Sequence, residues 1–76
     1  PLLMPDNGTV FYNLACLYSK QHKSEKAITN LEKAVNKGYH NWGRLTTDID
    51  LDPIRKTSYF QRLMQTIAPY NAYTGN

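Results

Sequence analysis

In the stretch NGTVFYNLACLYSK the apolar residues Val10, Phe11, Leu14, Ala15, Leu17 and Tyr18 recur at intervals of three and four, the period of an amphipathic helix. Asp6 or Asn7 is placed to cap its start, because a short side-chain acceptor satisfies a free amide of the first turn. The stretch SEKAITNLEKAVNKG repeats the pattern with Ala27, Ile28, Leu31, Ala34 and Val35. Ser24 is the expected N-cap, Glu25 suits the positive helix start, Lys37 suits the end, and Gly38 suits the left-handed residue that closes it. Two helices joined by the short link Gln21-His22-Lys23 predict a helical hairpin.

Beyond the hairpin the pattern is less regular. Asn41 is a candidate cap for a short helix carrying Trp42 and Leu45, and Pro53 fits the first helical position after Asp52. The last helix is expected to start at Thr57 or Ser58. There SYFQ has the form of a capping box in which Gln61 reaches back, and Phe60, Leu63, Met64 and Ile67 share one face. Pro69 is expected to end the helix and leave a loose, flexible tail over residues 69–76. The predicted fold class is all-α, a helix-turn-helix hairpin followed by short closing helices.

The spacing Phe11-x2-Leu14-Ala15-x2-Tyr18, followed by Ala27-x3-Leu31-x2-Ala34, resembles the tetratricopeptide repeat, whose pattern is W-x2-L-G-x2-Y, A-x3-F and a closing proline. Small Ala15 and Ala27 fall where the two helices of such a hairpin approach closely. Pro5 lies 34 residues before Tyr39, one repeat length, and so matches the closing proline of a preceding repeat. Continuing the register downstream would place Asp48 and Asp52 at apolar positions, so the array is expected to stop here. The stretch GYHNWGRLTTDIDLDPIRKTSYFQRLM is similar to a short module that closes some such arrays. The resemblance divides the chain into a remnant of a preceding repeat (1–5), a hairpin (6–40), a closing helical module (41–68) and the tail (69–76).

Composition narrows the function classes. Seventy-six residues make one small unit, and a single core of that size rarely supplies more than ~3–5 kcal/mol. Nine Lys and Arg against six Asp and Glu leave a formal charge of +3, with no basic run longer than Arg55-Lys56. Such a mildly basic surface disfavours nucleic acid as the partner. The single cysteine closes no internal disulfide, and no apolar run approaches the ~18 residues of a membrane span. An intracellular, cytoplasmic protein with no membrane partner is expected.

Three features invite chemistry. Asp48, Asp50 and Asp52 alternate in TDIDLDPIR, but a calcium loop counted from Asp48 needs glycine and a carboxylate where Pro53 and Tyr59 stand. Capping and pairing are expected instead, with Asp52 before Pro53 and Asp48 or Asp50 near Arg55. Cys16 with His22 or His40 suggests a thiol nucleophile and base, yet Cys16 lies mid-helix, where the amides of an oxyanion hole are already bonded. Asn7-Gly8-Thr9 has the form of a glycosylation sequon and reads more simply as a helix start. No catalytic residue, metal site or cofactor is assigned.

The stronger candidate is the polar face of the first helix, carrying Thr9, Tyr12, Asn13, Cys16, Ser19 and Lys20. The resemblance implies that this face lines a concave groove, so Tyr12, Asn13, Cys16, Ser19 and Lys20 are the expected partner-binding residues. Asn13 both donates and accepts, Tyr12 offers a rigid amphipathic surface and Lys20 meets carboxylates. The expected function is a non-enzymatic protein-interaction or assembly scaffold that binds a protein or peptide segment. The alternatives are a basic helical RNA-binding module, or a regulatory array whose catalytic part lies outside this chain. Weak self-association is expected through an exposed apolar face near Leu2, Leu3 and Val10.

Overall fold

The computed structural model describes the backbone of residues 7–74 and the side chains of residues 8–67. Four α-helices and one 3-10 helix follow in chain order: α1 (Asn7–Lys20), α2 (Ser24–Asn36), α3 (Trp42–Thr47), the 3-10 helix (Ile49–Ile54) and α4 (Ser58–Thr74). No strand occurs among the described residues, and the fold is all-α. The expected positions Asp6, Pro5, Leu2 and Leu3 lie outside the described residues.

α1 and α2 form the expected hairpin, and the same backbone device ends both. After α1, the Lys23 amide donates to the Tyr18 carbonyl at 2.9 Å and the His22 amide to the Ser19 carbonyl at 2.9 Å. After α2, the Tyr39 amide donates to Ala34 at 2.9 Å and the Gly38 amide to Val35 at 3.0 Å. Each is a Schellman end with its turning residue in the left-handed region, His22 at φ 60° and Gly38 at φ 103°. Gly38 was legible from its lack of a side chain, whereas His22 takes the same conformation despite its Cβ. This ending also corrects the expected cap of α2. Lys23 holds the cap position without a side-chain bond, and Ser24 is drawn into the helix as its first residue.

The hairpin closes around small residues. Ala15, Ala27, Leu31 and Ala34 are fully buried between the helices, while Phe11, Tyr18, Ile28 and Val35 pack half-buried around them. Gly8 is the other close approach. A Cβ placed there would lie 2.8 Å from the Tyr39 amide nitrogen and 2.9 Å from the Ala34 carbonyl oxygen, so only glycine lets the start of α1 meet the end of α2. The sequon triplet is therefore a helix start whose middle residue is needed for packing.

The closing module departs from expectation in its details. Asn41 caps α3 as predicted, accepting from the Arg44 amide at 3.1 Å. Asp52 and Pro53 do not open a helix; both lie inside the 3-10 helix, which Asp48 caps by accepting from the Asp50 amide at 3.0 Å. At α4 the cap is Thr57, whose hydroxyl accepts from the Phe60 amide at 3.4 Å and donates to the Ile54 carbonyl at 2.7 Å. Gln61 reaches back to the Arg55 carbonyl at 2.9 Å instead of to the cap. α4 also runs past Pro69 to Thr74, so the helix continues where a tail was expected and is the longest of the four, not a short closing helix. A proline costs a helix one amide bond and introduces a clash, but it ends the helix only where nothing else favours continuation.

The 3-10 helix lies against both helices of the hairpin, and α3 packs on α4. Leu45, Leu51, Ile54, Phe60, Leu63 and Ile67 from these elements are buried and extend the core begun by the hairpin. Trp42 and Met64 pack on it half-buried.

Candidate functional site

The expected groove face of α1 is not open. Tyr12, Cys16 and Ser19 are buried, and only Asn13 and Lys20 of the five expected binding residues reach solvent. The physical reason is the chain's own closing module, which supplies polar partners for a polar helix face. The Tyr12 hydroxyl donates to Asp48 Oδ2 at 2.7 Å, and Cys16 Sγ lies 3.6 Å from the same oxygen. Lys20 Nζ stands 4.0 Å from Asp50 Oδ2, an exposed and therefore weak pair.

Asp48 is the centre of this arrangement. Besides Tyr12 and Cys16, Oδ2 accepts from Arg44 Nε at 3.3 Å, while Oδ1 caps the 3-10 helix. The Arg44 guanidinium also sits 4.8 Å from the centre of the Tyr12 ring. Tyr39 stacks on the same Tyr12 ring, with centroids 4.3 Å apart and planes 9° from parallel. One carboxylate thus ties α1, α3 and the 3-10 helix together, with aromatic rings closing over the bond.

The cluster's titration behaviour follows from these contacts. Burial pushes the Tyr12 phenol far above its usual range, and the bond to Asp48 adds to the effect. Burial, then the Asp48 charge, push the Cys16 thiol up to about 11, so it stays protonated and unreactive at neutral pH. Burial alone would raise Asp48. Hydrogen bonds from Tyr12, the Asp50 amide, Arg44 and Cys16 outweigh it and hold the carboxyl below its ordinary value. Cys16, Asp48 and Asp50 do offer ligand atoms within 4.8 Å of one another. Three donors already converge on Asp48 Oδ2, one of them a guanidinium, which is the pattern of a hydrogen-bonded latch.

The aspartate pairing expected from the sequence is partly reassigned. Arg55 Nε pairs with Asp52 Oδ1 at 2.7 Å, whereas its contact with Asp48 is to the backbone carbonyl, not the carboxylate. Arg55 also reaches the Leu45 carbonyl at 3.4 Å and lies 5.2 Å from the Phe60 ring, bracing α3 against α4. His22 and His40 are exposed, and His40 Nδ1 is bonded to the Gly38 carbonyl. Sequence reasoning missed Asp48, Arg44 and Tyr39 as partners of α1. The one available signal was the four-residue spacing of Arg44 and Asp48, which makes a helical ion pair.

Two buried hydroxyls, Ser19 Oγ and that of Tyr39, have no hydrogen-bond partner among the described residues. Solvent meets a different surface of α1, where Val10 and Leu17 are 47% and 45% exposed. No helix among the described residues is long and apolar enough to cross a membrane.

The chain is similar to a protein of Arabidopsis thaliana whose name marks it as chloroplastic, with 37% identity over 62 residues. The match covers 80% of this chain and 18% of that protein, so the chain spans less than a fifth of this relative's length. No family model and no solved structure matches the chain.

Proposed function

We propose that the chain is the C-terminal end of a tetratricopeptide-like helical array that serves as a non-enzymatic protein-interaction or assembly module. What supports the reading is the way α1 is used. Its polar face is taken by the chain's own 3-10 helix through Asp48, while its apolar edge at Val10 and Leu17 is left to solvent. A closing unit of a stacked array has this asymmetry, finished on one side and unfinished on the other. In this reading the closing module occupies the concave face, and Tyr12 and Cys16 hold it there through Asp48. Asn13 and Lys20 remain for contact with a partner.

The relative's name places it in the chloroplast, and we extend that compartment to this chain in preference to the cytoplasm. The thiol–imidazole alternative has little support, since Cys16 is bonded to an acid and both imidazoles are exposed. The test is a pull-down with the chain from a plastid extract, with and without nuclease, beside an Asn13→Ala, Lys20→Glu double variant. Nuclease-resistant protein partners lost in the variant are expected. Partners that disappear with nuclease would move RNA binding to first place.

A further inference from the structure

We draw no further inference here: the strongest candidate, the side-chain cluster of Cys16, Asp48 and Asp50 where the 3-10 helix crosses α1, belongs to the latch already described, with Asp48 paired to Arg44 and Asp50 facing Lys20.

Discussion

The two edges of α1 invert the usual assignment of helix faces. The edge carrying Tyr12, Cys16 and Ser19 holds the more polar groups and is buried, while the edge carrying Val10 and Leu17 is apolar and stands close to half exposed. A polar group buries at lower cost when its neighbour brings a matching one, and Asp48 accepts from both Tyr12 and Cys16, whereas Ser19 is buried without a partner among the described residues. An apolar edge stays open where none of the described residues covers it. Burial here follows which neighbour exists, and only secondarily how hydrophobic the residue is.

The comparison breaks most severely at Tyr12. Tyr12→Ala empties a fully buried ring position, removes the stack on Tyr39 and strips Asp48 of its shortest donor. A loss of about 3–5 kcal/mol is expected for deleting a buried aromatic, against a total of ~3–5 kcal/mol for a core this small. The variant should show no cooperative transition in a circular-dichroism melt. A melt like that of the wild type would mean that the closing module is not latched to α1.

Ala27→Phe tests the hairpin without touching the latch. Ala27 is fully buried against α1, so a larger side chain must push the helices apart at a cost of ~1–3 kcal/mol or more. A chemical-denaturation midpoint unchanged by that substitution would contradict the close approach.

Acid should loosen the latch specifically. The folded-state pKa of Asp48 lies below its ordinary value of 3.8, so its contribution is complete above that value. It is lost as pH falls through the lower, folded-state value. A hydrogen bond to a charged acceptor is worth ~1.5–3 kcal/mol, and Asp48→Asn should cost about that much at neutral pH and flatten the acid limb of stability against pH. An acid limb as steep as before would assign the dependence to another carboxyl.

The smallest effect belongs to the open edge. Val10→Ser and Leu17→Ser remove apolar groups that touch little, and each should change stability by no more than ~0.5 kcal/mol. Thermal melts of both variants should overlay that of the wild type. A large drop in stability would show that the edge is covered within the chain.

Much of the fold was legible because it depends on local period and local caps. The three-and-four spacing located both helices of the hairpin, Gly38 marked its second end and Asn41 marked the cap of α3. The small residues Ala15 and Ala27 were readable as the place of close approach, because bulky side chains there would hold the helices apart. What misled was the assumption that a polar helix face is a wet one. Nothing local to α1 tells that Asp48, 36 residues beyond Tyr12, returns to meet it. The capping errors have the same origin, since Thr57 and Asp48 took roles offered to Ser58 and Asp52 once the 3-10 helix set the geometry of the turn.

By itself, then, the amino-acid sequence determined the helices, the hairpin and the all-α class, because helix formation and tight packing are decided by neighbours three, four and a few tens of residues apart. Tertiary structure alone decided which face of α1 faces water and that Asp48 of the closing module meets Tyr12 and Cys16 there. Those outcomes depend on the path of the 3-10 helix across the hairpin. A side chain's environment is set by whatever the chain folds against it, and that path is a property of the whole packing.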